Sequence, residues 1–405
     1  MYYLKVENKK VNKVEEVNQD YIYIKNNKDI EKILSIKEHN YIIGSDSEEL
    51  IDKCNNLIYF LNHYKSLKQI LIKEMDNYNS KLIIENNNYI QELLGDFKDL
   101  NSDGKFIRGF LILLGYEIMN NNDIQKALPL SLAFELFQTS VLIHDDIIDN
   151  ADLRRGKKTI PTRYQDRYIG AKHLGDSLAI CAGDIGFYKA NEILIDNYSN
   201  NKYLLKYFND IILNTIRGEI LDVVLPHIQK YGYFKDEKLE NYVMDIYRLK
   251  TSWYSIVGPI CVGMILGGAN RQQIADMEDL TYGLGVAFQI KDDILGIYSD
   301  KVGQEKTASD INEFKQTILY SYVHDYKSEY LIELNKYYGK DNLTKDKIKK
   351  VKSIFKDSGA LKYAEDLMNN LFKESNNQLE KIDYISGDYK KIIKGFIVYL
   401  EQRNN

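Results

Sequence analysis

The chain is poor in residues that break helices and in residues that staple small folds. Its 405 residues hold only four prolines, Pro129, Pro161, Pro226 and Pro259. With so few breakers, long stretches can run as uninterrupted helix. The three cysteines, Cys54, Cys181 and Cys261, lie far apart. They give neither a disulfide framework nor a zinc-ligand spacing, and they suit a reducing compartment. An excess of positive charge is also missing. The formal net charge is −5, which argues against a nucleic-acid binder. The opening MYYLKVENKKVNKVEEV lacks the apolar core of a signal peptide and is not the Arg-rich pattern of a transit peptide. No run of about 18 apolar residues stands out, so no transmembrane segment is expected. A cytoplasmic location is the expectation.

What is present is helical periodicity. Apolar residues make up 44% of the chain, enough for a substantial core. From about Tyr64 they recur at helical spacing, as in LKQILIKEMDNYNSKLI. KALPLSLAFELFQTSVLIHDDIID is apolar nearly all round until its acidic end, which predicts a central buried helix. No fixed-period repeat and no glycine-rich hinge divides the rest. The expectation is an all-α fold: one helical-bundle domain over 64–405, after an N-terminal extension over 1–63 of unknown role. In that extension the pieces YIYI and YIIG are too short to assign.

Two acidic motifs carry the chemistry. Asp145 and Asp149 are four residues apart and share one helix face, with Asp146 bordering it. Like charges this close need a cation between them. Mg²⁺ takes oxygen ligands and is usually completed by substrate phosphates. A lone motif of this kind is as easily a solvated helix end. A second one, Asp292 and Asp293 after the apolar run of FQIKDDILG, makes two walls of one metal–diphosphate site the better reading. Cations accompany both. Lys105 and Arg108 stand in DGKFIRG, Arg154 and Arg155 follow the first motif, and Lys306 and Lys315 follow the second. Arginine forks onto phosphate, and lysine serves as a point charge.

At this point the chain resembles a trans-isoprenyl diphosphate synthase of the farnesyl/geranylgeranyl type. The motifs GKFIR, FQTSVLIHDDIIDNADLRRG, CAGD, GEILDV, KT, FQIKDDILG and KTASDINEFK occur in the family's order. The resemblance implies an isoprenoid synthase-type helical bundle around a deep central cavity, usually a homodimer. It implies a prenyltransferase that joins an allylic diphosphate to isopentenyl diphosphate, with three Mg²⁺ ions. Asp145, Asp149 and Asp292 take the place of the metal ligands, with Asp146 and Asp293 in support. Lys105, Arg108, Gln138 and Arg155 correspond to the isopentenyl diphosphate site. Arg154, Lys250, Thr251, Gln289, Lys306 and Lys315 correspond to groups around the allylic diphosphate. Three departures stand out. Gly296 replaces the last aspartate of the second motif, Glu219 stands where glutamine is common, and KTASDI replaces a glycine-rich loop.

Product length is expected to follow the first acidic helix. Val141 and Phe137 lie one and two helix turns before Asp145, roughly 6 Å and 12 Å below it. Bulky aromatics occupy the positions of Ser140 and Val141 in animal-type fifteen-carbon enzymes. Here both are small, so the chain should grow past farnesyl to geranylgeranyl diphosphate, with Phe137 as floor. Farnesyl diphosphate synthesis as main activity is the nearest alternative. A terpene cyclase fits less well, because DDILGIYSD lacks the serine and glutamate of the cyclase motif. An inactive partner subunit typically loses its aspartates, and this chain keeps both pairs.

Overall fold

The computed structural model describes the chain except residues 18–19, 83–86, 103, 121–122, 169, 235–237, 299–309, 341–342 and 404–405. Four strands open it: β1 (Tyr2–Glu7), β2 (Lys10–Val14), β3 (Ile22–Tyr23) and β4 (Asn40–Ser45), with the short helix α1 (Glu31–Leu34) before β4. Helices follow: α2 (Glu48–Leu82), α3 (Asn88–Asn101), α4 (Ile107–Met119) and α5 (Leu128–Ile148). A two-strand hairpin, β5 (Leu153–Arg154) and β6 (Lys157–Lys158), leads into α6 (Ile160–Arg167), α7 (Lys172–Tyr198), α8 (Lys202–Lys230) and α9 (Leu239–Ile246). A π-helical segment, Tyr247–Val257, joins α9 to α10 (Gly258–Leu266). The described remainder is α11 (Arg271–Tyr298), α12 (Ile318–Tyr326), α13 (Ser328–Leu334), α14 (Lys345–Asp357), α15 (Ala360–Lys381) and α16 (Gly387–Gln402).

The prolines sit where helices tolerate them. Pro129, Pro161 and Pro259 fall in the first turns of α5, α6 and α10, where the missing N–H has no intrahelical acceptor to lose. Pro226 lies inside α8, near its end. Beyond residue 48 the expectation of helix is met apart from the β5–β6 hairpin. The extension, whose pieces were too short to assign, forms a sheet ordered β2-β1-β4-β3, antiparallel except for β3 against β4. Leu4 and Val6 alternate inward along β1, the period of a half-buried strand. Asn8 and Lys9, both with positive φ, form the two-residue turn that a tight hairpin requires. Nor does residue 63 end an element, since α2 runs through it.

The contacts divide the chain into two compact units. The first comprises 1–66, 228–248 and 279–405, and the second 67–227 and 249–278. In the first, the sheet rests on α2, where Asn62 donates to the Lys9 carbonyl at 3.0 Å. In the second, α5 packs against α4 and α7, and α4 against α10. Among the described residues two helical stretches, Ile124–Ile148 and Leu239–Leu266, are by length and composition apolar enough to cross a membrane. In each, 78% of the apolar window is buried inside the protein, as in core helices.

The α4–α10 contact is close enough to exclude any side chain at Gly263, where a Cβ would lie 2.0 Å from the Ile112 carbonyl oxygen. Gly263→Ala is expected to cost roughly 1–3 kcal/mol by forcing the helices apart. Thermal unfolding checks this. A melting temperature unchanged from wild type would contradict the contact.

Candidate active site

In the second unit the acidic end of α5 is held by two cations. The hairpin after α5 turns through Arg155, with φ 54°, and Gly156, with φ 77°. It returns Arg154 onto the helix end, where Nη2 donates to Asp145 at 2.9 Å and Nε to Asp146 at 2.5 Å. Burial pushes the Asp146 carboxyl up to about 6 even with Arg154 beside it. Asp146 is thus buried against Arg154. Asp149 is the C-cap of α5.

The second cation is Lys250, on the π-helical segment. Its ammonium lies 2.7 Å from Glu219, 2.6 Å from Asp222 and 3.4 Å from Asp145. The approach depends on Gly218, where a Cβ would lie 2.4 Å from the Lys250 backbone nitrogen. Burial raises the Glu219 carboxyl, opposed by Lys250. Thr251 beside it is buried. A π-helix is rare and concentrates at functional sites. Here it also carries Tyr254, which donates to Gln138 of α5 and stacks under the Arg108 guanidinium, 4.2 Å from the ring centre.

Two cavities flank this end of α5. One, of about 30 Å³, is polar, and Glu135, Gln138, Arg154 and Arg155 are in its wall. Lys105 and Arg108 are not among the residues lining it. Arg108 instead donates to Ser255 at 2.6 Å, and Lys105 is exposed. The other, of about 480 Å³, is apolar and opens below Asp145, between α5, α7 and α8. Phe137, Val141 and Asp145 line it in one stripe, as the i, i+4 spacing predicts. Phe137 closes one end amid Phe134, Phe187, Phe208 and Tyr254, with ring centres 5.3–6.3 Å away. Ser140 is not in this wall. It is fully buried against α7, where a Cβ at Gly186 would lie 2.1 Å from its hydroxyl.

The second motif lies in the first unit. Asp293 is buried, which pushes its carboxyl up to about 8. It accepts hydrogen bonds from Tyr247 and, at 2.8 Å, from Gln289. Gln289 therefore orients Asp293. The Tyr247 hydroxyl in turn accepts from the Ile318 amide at 2.7 Å. Asp292 pairs with Arg403 at 2.7 Å. Lys315 lies 3.5 Å from Glu313, and Lys306 lies outside the described residues. The Gly296 departure has a physical counterpart. A Cβ there would lie 2.5 Å from the Asp310 carboxylate, so another acid already fills that space.

The sequence reading missed Glu135, Tyr254, Asp310 and Arg403. Glu135 left one usable signal, a lone acid within an apolar helix. It accepts the Gly109 amide at 2.8 Å, and burial raises its carboxyl. Tyr254 and Arg403 depend on partners over a hundred residues away, and Asp310 lies against Gly296. Among the described residues, no three His, Cys, Asp or Glu side chains form a ready-made metal cage. Carboxylates at helix ends, of which Asp145 is also tied to cations, still fit Mg²⁺, which binds through one or two carboxylates and completes its shell with water and phosphate.

Comparison with known proteins gives the same picture. A short chain isoprenyl diphosphate synthase of Methanocaldococcus jannaschii is 30% identical over 64% of this chain and 74% of its own length. A geranylfarnesyl diphosphate synthase of Aeropyrum pernix is 27% identical over 75% of this chain and 92% of its own. The fold matches a geranylgeranyl pyrophosphate synthase from Corynebacterium glutamicum, complexed with isoprenyl diphosphate and magnesium. That TM-score is 0.72 at 21% identity, over 83% of this chain and 98% of the other. The polyprenyl synthetase family model matches residues 91–355, which include every element of both acidic motifs, and the chain belongs to that family of prenyltransferases.

Proposed function

We propose that the protein condenses allylic diphosphates with isopentenyl diphosphate and releases geranylgeranyl diphosphate as its main product. The observation that carries this reading is the apolar cavity opening directly beneath Asp145. An acidic rim suits a metal-bound diphosphate, and the cavity suits a hydrocarbon tail. Asp145, Asp149 and Asp292 would hold Mg²⁺, three ions in all, whose charge when bound offsets that of the departing diphosphate. Lys250, fixed by Glu219 and Asp222, keeps its ammonium beside the bond that breaks. As the C1–O bond of the allylic substrate breaks, positive charge develops on the allyl group in a water-poor cavity. The isopentenyl double bond adds to it, and the proton lost in closing the new double bond leaves with the diphosphate. Lys105, Arg108, Gln138 and Arg155 are proposed to bind the isopentenyl diphosphate, and Arg154, Thr251, Lys306 and Lys315 to act around the allylic one.

Asp145→Asn is expected to lower kcat by about 10²-fold or more, the scale of losing one preorganised charge contact. Steady-state assays with Mg²⁺ check this, and wild-type turnover in the variant would remove Asp145 from the site.

Chain length is read at Val141 and Phe137. Val141→Phe places a ring in the cavity just below Asp145 and should shift the product to farnesyl diphosphate. Phe137→Ala should lengthen it. Ser140→Phe is a poor probe, because Ser140 faces Gly186 and a ring there would disturb α7. Mass spectrometry of the products decides, and an unchanged product from both variants would detach this wall from product length.

A homodimer is part of the proposal. Ile216, Ile220, Val223 and Val224 of α8 line the cavity, yet are 45–56% exposed in the single chain. Such a face calls for a partner, and a second copy fits. Ile220→Asp should dissociate the protein in sedimentation equilibrium. A wild type that sediments as a monomer would exclude the dimer.

A further inference from the structure

Arg403 ends α16, and its backbone amide donates to the Tyr399 carbonyl at 3.0 Å. Its side chain is only 6% exposed. Nη2 donates to Asp292 at 2.7 Å and to the Phe288 carbonyl at 3.0 Å. The guanidinium carbon lies 3.7 Å from the centre of the Phe288 ring. Nε is buried and has no hydrogen-bond partner among the described residues. Burying a guanidinium with a donor unmet is unfavourable. The Asp292 charge and the ring face hold it there. Asp292, for its part, keeps 39% of its side chain exposed, so a second cation can reach it.

The placement is braced by chain outside the family match of 91–355. α16 lies directly on α2, where a Cβ at Gly395 would lie 2.0 Å from the Asn56 carbonyl oxygen. The Phe60 ring packs on Phe396 at 5.5 Å and Tyr399 at 5.2 Å. α2 thus forms the wall that seats α16, and the end of α16 delivers Arg403 to the second acidic motif.

We infer that Arg403 is a tethered counter-ion, whose guanidinium occupies Asp292 and is displaced when metal binds there. This rests on the reading of Asp292 as a metal ligand. A carboxylate already neutralised by a guanidinium attracts a divalent cation less, and two cations on one carboxylate repel. The tether therefore weakens metal binding, and the extension, by seating α16, sets how strongly.

The test uses the full chain, titrated calorimetrically with Mg²⁺ in the presence of inorganic pyrophosphate. Arg403→Gln should bind about tenfold more tightly, the equivalent of 1.4 kcal/mol. Arg403→Lys, which keeps the charge, should stay near wild type, and Asp292→Asn should bind more weakly. Hydrogen exchange on the wild type gives a second readout: amides of Ile397–Gln402 should exchange faster once Mg²⁺ and pyrophosphate are added. Equal or weaker binding by Arg403→Gln, with Asp292→Asn still impaired, would overturn the counter-ion role alone, as would unchanged exchange in α16. Wild-type affinity in Asp292→Asn would instead remove Asp292 from the metal site.

Discussion

Charge balance at the end of α5 is the constraint on which the site depends. Asp145, Asp146, Glu219 and Asp222 all lie within contact of Arg154 or Lys250. Two unit charges 4 Å apart interact by about 4 kcal/mol at an effective dielectric of 20. Local helix pairs contribute roughly a tenth of that. The like-charge repulsion therefore has to be met by cations brought from elsewhere in the chain. Several local features serve that delivery. The hairpin turning through Arg155 and Gly156 returns Arg154, the π-helical segment carries Lys250, and Gly218 lets α8 come close enough for Glu219 and Asp222 to reach it.

The same end of α5 joins a charged rim to an apolar interior. Asp145 and Val141 are one turn apart and line one cavity, so a bound diphosphate and its hydrocarbon tail need only a single helix to guide them. The floor is a cluster of aromatic rings around Phe137. Tyr254 belongs to that cluster and also bonds Gln138, whose side chain lines the polar cavity. Tyr254 thus connects the floor to the polar cavity through Gln138, which ties the proposed chain-length control to the proposed isopentenyl site. Phe134, Phe208 and Tyr254 are themselves packed together, so the floor is stiff.

Much of this was legible in the residues. Four-residue spacing put Phe137, Val141 and Asp145 on one face, and the structure keeps them there. Helix was legible because periodicity over many turns is a strong signal and breakers are few. The extension was not, because its strands are six residues or fewer and their pairing links Tyr2 to Ser45, across most of the segment. Ser140 was read as facing the passage from its place beside Val141. One residue is about 100° of helix, enough to turn it into the α7 interface. Gln289 and Asp293 were read toward ligands; in the structure Gln289 donates to Asp293, which also accepts from Tyr247. Arg403 gave no local signal, since its partner Asp292 lies over a hundred residues away.

The central claim is that the cavity beneath Asp145 accepts a growing prenyl chain. It is tested most directly by supplying the purified protein with labelled isopentenyl diphosphate, farnesyl diphosphate and Mg²⁺. The account predicts label in a twenty-carbon diphosphate. Diphosphate release from the allylic substrate with no label entering any longer chain would contradict it.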